Sequence, residues 1–219
     1  MCCKFWIVST IEVMEIASLS IGIEECALRA AGVLRTGGLV VYPTDTLYGI
    51  GVDATSDAAV DRLYAVKGRE PGKPTHCIVA DLEMAKEYAE VNEAARKLAE
   101  KFFPGALTLI LKKSPSLATG IGRGMDTIGV RIPNNELCSA LAHAFGKPIT
   151  TPSANKAGIE PTSVPANIIA QLGEENIDLF IDAGTLPPRP PSTIVNLVSG
   201  HPSVLREGAI PSEDILKTE

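Results

Sequence analysis

The amino-acid sequence predicts a single α/β domain in which helices flank a mixed β-sheet. A chain of 219 residues suits one large domain, because at this size a fold buries roughly 70% of its unfolded surface without needing disulfides or metals. Helical and strand-like segments alternate along most of the chain, as expected for this class. Hydrophobic residues make up 45% and charged residues 21%, which are ordinary values for a globular protein.

Capping and turn residues set the predicted boundaries in the first half of the chain. Gly37 and Gly38 end an amphipathic helix, Pro43 stops a short apolar strand, and Ser56 and Asn92 are N-caps of later helices. The predicted helices span residues 23–35, 56–66 and 92–103, with a short one from residue 81, and the predicted strands span residues 39–42 and 77–80.

The second half continues the alternation, with a glycine-rich stretch at residues 120–124. The loop at residues 187–191 is stiffened by prolines, but only short strands follow it, so it does not separate two domains. The predicted strands span residues 107–111, 127–132, 148–151, 179–181, 193–197 and 203–206, and the predicted helices span residues 135–145 and 165–172.

Charge and cysteine content exclude several classes of protein. A net charge of −6 argues against a broad basic surface for nucleic acid, although a local basic cleft remains compatible with it. An odd number of cysteines without C-x-x-C spacing favours reduced thiols in a cytoplasmic protein over a zinc site or a disulfide framework. Those cysteines are Cys2, Cys3, Cys26, Cys77 and Cys138.

The N-terminal segment is expected to lie outside the main domain. Its apolar run at residues 5–8 is too short for a signal peptide, and no stretch approaches the roughly 20 apolar residues of a membrane span. We expect residues 1–20 to form an extension, of which residues 1–13 are dispensable, and residues 21–219 to form the domain.

Polar residues interrupt the apolar scaffold just after predicted strands, where α/β proteins bind ligands. The segment Pro43–Gly51 carries the hydroxyls of Thr44 and Thr46 between a proline and glycines. A tight turn with local hydrogen bonds explains this segment equally well. Lys67, Arg69 and Lys73 form a cationic group that suits phosphate oxygens, although cations are also favoured at a helix C-terminus without any ligand.

Two further segments and two strand-end arginines extend this polar set. Ser and Asn side chains at residues 151–155 could orient phosphate or ribose oxygens, or simply form a turn. Ser192 leads into a predicted strand, and Arg131 and Arg206 close two others. Either arginine could reach solvent from its strand end, but together in an acidic protein they favour an anionic ligand. The residues alone therefore predict a nucleotide- or phosphate-binding enzyme.

Several familiar motifs are missing from the sequence. It contains no G-x-x-x-x-G-K-[ST] phosphate loop, no G-x-G-x-x-G fingerprint and no G-x-S-x-G elbow. His76, His143 and His201 have no evident Ser or Cys partner, so each is interpreted as a surface residue or a satisfied one.

Seven segments in order resemble the YciO/YrdC family of threonylcarbamoyl-AMP synthases. The resemblance covers residues 23–210 and includes the K-x-R and S-x-N signature at Lys67, Arg69, Ser153 and Asn155. The matching segments are PTDTLYGIG at 43–51, KGR at 67–69, FPGALTLIL at 103–111, TIGVRIP at 127–133, TPSAN at 151–155, PSTIV at 191–195 and LREGAI at 205–210. The resemblance implies a twisted mixed sheet with a concave ligand-binding face, in a chain of the single-domain type.

The resemblance also implies roles for individual residues. It gives the signature residues Lys67, Arg69, Ser153 and Asn155 the catalytic positions, with Lys67 neutralising phosphates. ATP would be bound by Arg69, Lys73, Thr127, Ser153, Asn155 and Arg206, and threonine by Thr46, Arg131, Thr151 and Ser192. Some relatives carry a histidine where this chain has Ile78, and whether His76 replaces it stays open.

The implied activity joins L-threonine, bicarbonate and ATP into L-threonylcarbamoyladenylate, releasing pyrophosphate. Mg²⁺ would travel with ATP, with no tightly bound cofactor and no metal cage in the protein. The product would pass to a tRNA threonylcarbamoyl-transferase complex, with weak binding of tRNA or double-stranded RNA and no membrane association. Two alternatives stay open: a non-catalytic RNA-binding module, and a YciO-type paralogue or carbamoyl-adenylate enzyme with a different acceptor.

Overall fold

The computed structural model describes residues 14–70 and 74–218 and confirms the α/β class. Ten strands and seven α-helices alternate within those residues. The strands are β1 (Glu15–Ser18), β2 (Val40–Pro43), β3 (Tyr48–Gly51), β4 (His76–Ile78), β5 (Leu107–Lys112), β6 (Thr127–Arg131), β7 (Ile149–Thr150), β8 (Leu179–Asp182), β9 (Thr193–Asn196) and β10 (Ser203–Arg206). The helices are α1 (Ile23–Arg35), α2 (Asp57–Lys67), α3 (Leu82–Tyr88), α4 (Glu93–Phe102), α5 (Glu136–Phe145), α6 (Pro165–Leu172) and α7 (Ser212–Leu216).

The strands form two mixed sheets. The first has the order β1-β8-β2-β3, with β8 parallel to β1 and β2, and β3 antiparallel to β2. The second has the order β10-β9-β5-β6-β4-β7, in which β5 runs parallel to β9 and antiparallel to β6. The predicted mixed sheet is therefore confirmed, and its strands divide into two hydrogen-bonded sets.

The two sheets meet along a seam between β3 and the chain around β7. Isolated bridges join Gly49 to Ser153 and Asp53 to Ile149. Backbone hydrogen bonds cross the same boundary, from Ile50 N to Pro152 O at 2.9 Å and from Thr150 N to Val52 O at 3.1 Å. The seam is therefore continuous in space, but fewer backbone hydrogen bonds cross it than join the strands within either sheet.

Hydrophobic side chains cover the sheet on both faces. Along β2, Val40 and Tyr42 pack on the face occupied by α1 and α5, while Val41 packs on the opposite face. That opposite face carries buried residues of α2, α4 and α6. A central strand buried on both faces reads as a continuous apolar run, which is why the sequence identifies it.

Helix boundaries agree well with the sequence because the capping side chains act as predicted. Ser56, Asp81, Asn92 and Asn135 each accept a hydrogen bond from the backbone N–H three residues later. The helices at residues 23–35 and 165–172 have the predicted bounds, and the remaining predicted helices differ by a residue or two at their ends.

Three elements are absent from the sequence-based prediction. β1 has one buried residue in four and therefore no clear apolar alternation. β3 has the sequence YGIG, which reads as a turn because glycine disfavours strands. α7 is only five residues long and has no side-chain cap. The segment predicted as a ligand turn at residues 43–51 is a β2–β3 hairpin, so half of it is strand.

The predicted N-terminal extension is described only in part. Residues 1–13 lie outside the described residues, while Met14 is 8% exposed within the core. Residues 15–18 form β1 and pair in parallel with β8. The division between extension and domain stays a prediction. In the part of the chain that the structure describes, no helix has both the length and the apolar character needed to cross a membrane.

Candidate active site

A cavity of about 420 Å³ opens where the ends of several strands meet. Its walls come from the β2–β3 hairpin, the start of β4, the end of β6, the loop after β7, and the segment that leads into β9. The structure brings six of the predicted site residues into its wall: Thr46, Arg131, Thr151, Ser153, Ser192 and Arg206.

The alternation of side chains on β6 explains why the cavity is polar. Ile128 and Val130 enter the hydrophobic core, so Gly129 and Arg131 face the opposite side of the sheet. Gly129 pairs with His76 of β4, and a Cβ at Gly129 would lie 2.7 Å from the His76 Cβ. Only glycine at this position leaves room for the histidine beside the cavity.

Arg131 is a buried cation, with 3% of its surface exposed. Its Nη2 donates a hydrogen bond to the Asp45 carboxylate, and its Nη1 donates to Thr46 Oγ1 at 3.1 Å. Burial lowers the pKa of Arg131, and the adjacent Asp45 opposes that shift. Among the described residues, none accepts a hydrogen bond from its buried Nε. Nη1 and Nη2 each carry a second N–H group, so the guanidinium has donors left, among the described residues, for a ligand of the cavity that Arg131 lines.

Arg206 supplies a second guanidinium from the end of β10. Its Nη2 donates to the Ser192 carbonyl oxygen at 2.8 Å and to Ser192 Oγ at 3.3 Å. Ser192 is 3% exposed, and its hydroxyl also pairs with Thr108 Oγ1 at 2.9 Å. Burial, and then the charge of Arg131, lower the pKa of Arg206. Two guanidiniums that repel each other across a cavity favour an anion between them.

His76 lines the cavity, which corrects its interpretation as a surface or satisfied residue. Burial lowers the pKa of His76 to about 3, with further lowering by Arg131, Arg206, Arg69 and Lys67. The imidazole is therefore neutral near pH 7. The sequence around residue 76 does not reveal these charged neighbours, because the pairing of β4 with β6 brings residues from distant parts of the chain beside it.

Lys67 lies behind the cavity wall rather than in it. Its Nζ donates to Ser153 O at 2.5 Å and to Asn155 O at 2.6 Å, and the side chain is 5% exposed as a residue. Burial, and then Arg69, lower the pKa of Lys67 to about 8. Lys67 thus fastens the end of α2 to the loop that carries Ser153.

Asn155 likewise acts within that loop. Its Oδ1 accepts a hydrogen bond from Ser153 Oγ at 2.5 Å, and its Nδ2 donates to Ile159 O at 2.6 Å. Asn155 is 7% exposed and does not belong to the cavity wall described above, whereas Ser153 does. The K-x-R and S-x-N signature residues are therefore close in space, and Ser153 is the one that reaches the cavity.

The remaining predicted residues lie apart from the cavity wall. Arg69 Nη2 donates to Pro74 O at 2.6 Å, just beyond the end of α2. Thr127 starts β6, so it is separated from Arg131 by about 13 Å at roughly 3.3 Å per residue. Lys73 lies outside the described residues. The structure does not bring Arg69 and Thr127 to the cavity.

Other residues of the cavity wall were missed by sequence reasoning. Tyr48, Glu160 and Pro161 also line it: Tyr48 lies in the 43–51 segment but was given no role, and no motif or periodicity distinguishes Glu160 and Pro161 in the sequence. Tyr48 also donates a hydrogen bond to Gly184 O at 2.8 Å, which ties the hairpin to the chain after β8. Within residues 14–70 and 74–218, no three His, Cys, Asp or Glu side chains are grouped to hold a metal ion.

Comparison with known proteins agrees with the geometry. The Sua5/YciO/YrdC family model, described as telomere recombination, matches residues 32–208. A threonylcarbamoyl-AMP synthase from Pyrococcus abyssi is 39% identical over 197 residues, which are 89% of this chain and 58% of that protein. The chain thus spans a little over half the length of that relative.

Two solved structures are also similar. Sua5 from P. abyssi, complexed with L-threonine, matches with a TM-score of 0.85 and 34% identity, covering 94% of this chain and 60% of that one. YciO from E. coli matches with a TM-score of 0.82 and 29% identity, covering 93% of this chain and 98% of that one. By its sequence and its fold, the chain belongs to the Sua5/YciO/YrdC family.

Proposed function

We propose that this chain is a threonylcarbamoyl-AMP synthase, a nucleotidyltransferase that makes L-threonylcarbamoyladenylate and pyrophosphate from L-threonine, bicarbonate and ATP. The observation that carries the proposal is the cavity wall, where the buried guanidinium of Arg131 lies together with Thr46 and Thr151. The similarity to a Sua5 structure that contains L-threonine supports the same conclusion.

In the proposed amino-acid site, Arg131 binds the threonine carboxylate through guanidinium N–H groups that its hydrogen bonds to Asp45 and Thr46 do not use. An arginine with a fixed planar fork is well suited to a carboxylate, and burial strengthens the contact. The hydroxyls of Thr46, Thr151 and Ser192 surround the remaining polar groups of the ligand. The neutral imidazole of His76 can accept a hydrogen bond from an amine without adding positive charge beside Arg131.

In the proposed nucleotide site, Arg206 and Ser153 contact ATP from the cavity wall. Arg69, Lys73, Thr127 and Asn155 complete the set that the family resemblance assigns to ATP. Lys67 acts mainly through position and charge, because its ammonium already holds the loop carbonyls of Ser153 and Asn155. Arg69 and Lys67 nevertheless add to the positive potential at His76, whose pKa is lowered first by burial and then by the charges of Arg131, Arg206, Arg69 and Lys67.

The proposed reaction has two steps. The threonine amine, after losing a proton, bonds to the bicarbonate carbon, and loss of water leaves a carbamate. A carbamate oxygen then attacks the α-phosphorus of ATP, and the bond to the bridging oxygen breaks to release pyrophosphate. Guanidinium groups at Arg131 and Arg206 offset the negative charge gathered in the cavity, and the fixed wall supplies orientation.

Mg²⁺ is proposed to arrive with the ATP phosphates, which suits an ion that is usually bound by substrate oxygens and water. The adenylate would then pass to a tRNA threonylcarbamoyl-transferase complex in the cytoplasm. Any binding of RNA by this chain itself would be weak, because a net charge of −6 opposes contact with many phosphates.

The test is pyrophosphate release from ATP and bicarbonate with and without L-threonine, with mass spectrometry of the nucleotide product. Wild type should release pyrophosphate only with L-threonine, and Arg131→Lys and Arg206→Gln should each lower that rate at least tenfold. Arg123→Gln is the control, since Arg123 pairs with Asp61 on the surface.

Each alternative has its own outcome in this experiment. A nucleotide product formed with a different acceptor would replace the synthase by a paralogue of the YciO type. Absence of any nucleotide product in the wild type, together with retained RNA binding, would favour the RNA-binding module.

A further inference from the structure

We propose that Asp45 is a positioning residue for the amino-acid ligand, because its carboxylate fixes the orientation in which the Arg131 guanidinium meets the ligand carboxylate. The inference rests on the proposed function and extends it to a residue that lies behind the cavity wall described above. Asp45 acts through Arg131 and need not touch the ligand itself.

The Asp45 carboxylate is used on both oxygens. Oδ1 accepts the hydrogen bond from Arg131 Nη2, and Oδ2 accepts one from the backbone N–H of Asn134 at 3.1 Å. The side chains of Arg131 and Asp45 are 4% and 7% exposed. Because water has little access to the pair, the geometry of these bonds governs where the guanidinium lies.

The three nitrogens of the Arg131 guanidinium have different partners. Nη1 donates to Thr46 Oγ1 at 3.1 Å and Nη2 donates to Asp45, whereas Nε is buried without an acceptor among the described residues. Nη1 and Nη2 each carry a second N–H group, and Arg131 lines the cavity, so a ligand carboxylate there is the acceptor that its charge and location favour.

The backbone around Asp45 is held from two sides. Thr44 Oγ1 accepts hydrogen bonds from the backbone N–H groups of Thr46 at 3.1 Å and Leu47 at 3.3 Å. From the proline-rich loop, Arg189 Nη1 donates to Asp45 O at 3.0 Å. The position of the Asp45 carboxylate is therefore imposed by the surrounding turn, so Asp45 aligns Arg131 more than it follows it.

A purely structural role for Asp45 would affect every ligand of the cavity alike, whereas a positioning role concerns only the carboxylate contact. L-threoninamide separates the two, since it keeps the side chain and amine of L-threonine but lacks the carboxylate. The experiment measures the dissociation constants of both ligands by calorimetry, in the presence of a non-hydrolysable ATP analogue.

Asp45→Asn should weaken binding of L-threonine about 10- to 100-fold, the factor expected for losing the alignment of a charged hydrogen bond. Binding of L-threoninamide should change no more than about threefold. The matched control is Asp61→Asn, which breaks an Arg–Asp pair on the surface and should leave both constants unchanged.

Asp45→Glu covers the case in which Asp45→Asn does not fold. It keeps the negative charge but extends the side chain by one methylene, which displaces the guanidinium, so the same selective loss for L-threonine is expected.

An equal loss for both ligands, or no loss for either, would overturn the inference. Failure of the wild type to bind L-threonine would overturn the proposed function, and that result would be visible before any variant is compared.

Discussion

Two buried cations near the cavity differ in how fully the protein satisfies them. The Lys67 ammonium donates hydrogen bonds to the carbonyl oxygens of Ser153 and Asn155, so the protein itself supplies its acceptors. Arg131 uses two nitrogens within the protein and keeps Nε unpaired. Arg131 also lines the cavity, whereas Lys67 does not, so Arg131 is the cation placed to meet a ligand.

His76 gives a pH dependence with a definite sign. Its pKa is about 3 in the folded chain and close to 6.5 when unfolded, so between those values the unfolded state binds more protons. Stability conferred by the neutral imidazole is present above about pH 6.5 and is lost as the pH falls. Between pH 7 and pH 5 the wild type should lose about 2 kcal/mol of unfolding free energy through this group. The His76→Gln variant should not show that part of the loss, as measured by urea denaturation.

The exposed residue His201 provides the control for this prediction. His201→Gln should leave the dependence of stability on pH unchanged. If His76→Gln keeps the full wild-type loss of stability in acid, the imidazole is not the group responsible.

At the scale of single residues, the sequence predicts chemical type better than neighbourhood. Arg131 and Thr46 are 85 residues apart yet form a hydrogen bond, as the family resemblance implied by placing both at the threonine. His76 was missed because its importance comes from the Arg131 and Arg206 side chains that strand pairing brings near it. Arg69 and Thr127 show the reverse case, since motif membership does not bring them to the cavity wall.

At the scale of elements, the β2–β3 hairpin shows why a segment can be identified as functional and still be assigned the wrong local structure. Its glycines made β3 look like a turn. A Cβ at Gly51 would lie 2.8 Å from Tyr42 Cε1 and 2.9 Å from Ile149 Cγ2. The glycine therefore serves close packing of β3 against β2 and β7, and the strand depends on tertiary contacts that propensity does not capture.

Two alanine substitutions test this reading in opposite directions. Gly51→Ala should lower the free energy of unfolding by about 1–3 kcal/mol, because the added methyl overpacks the strand. Gly32→Ala should raise it by up to about 1 kcal/mol, since Gly32 lies in α1 with open space around its Cα.

Chemical denaturation of both variants and wild type measures these changes. A Gly51→Ala variant as stable as wild type would mean that β3 shifts to accept the methyl without strain. The Gly32→Ala variant shows that alanine itself does not account for the loss.

At the scale of the whole molecule, the α/β class follows from the alternation of helical and strand-like segments, and the helices follow from their capping residues. The division of the strands into two sheets does not follow from either. No local pattern states that β8 lies between β1 and β2, or that β5 pairs in parallel with β9. Such pairings join residues far apart in sequence, so they depend on the packing of the entire chain. β1 shows the same dependence, because it pairs with β8, which is distant in sequence, and its own residues show no clear apolar alternation.

Two truncations test the proposed boundary of the domain. Removing residues 1–13 should leave the melting temperature unchanged, in line with their proposed dispensability. Removing residues 1–20 should lower it, because Met14 and Ala17 are buried and β1 pairs with β8. Each kcal/mol lost corresponds to about 2–4 °C for a chain of this size.

Differential scanning calorimetry of the two truncated chains provides the comparison. Equal melting temperatures for wild type and both truncations would show that β1 adds no stability, and the whole of residues 1–20 would then be dispensable.

The seam between the two sheets has a mechanical consequence. The cavity takes Thr46 from the hairpin side and Arg131 and Ser192 from the other sheet, and the sheets are joined there by isolated bridges, a few backbone bonds and side-chain bonds such as those of Arg131 to Asp45 and Thr46. A ligand that contacts both sides adds links across the seam, where the backbone supplies the fewest. Separation of the two sheets and release of the ligand are then coupled, and the fold resists unfolding most when the cavity is occupied.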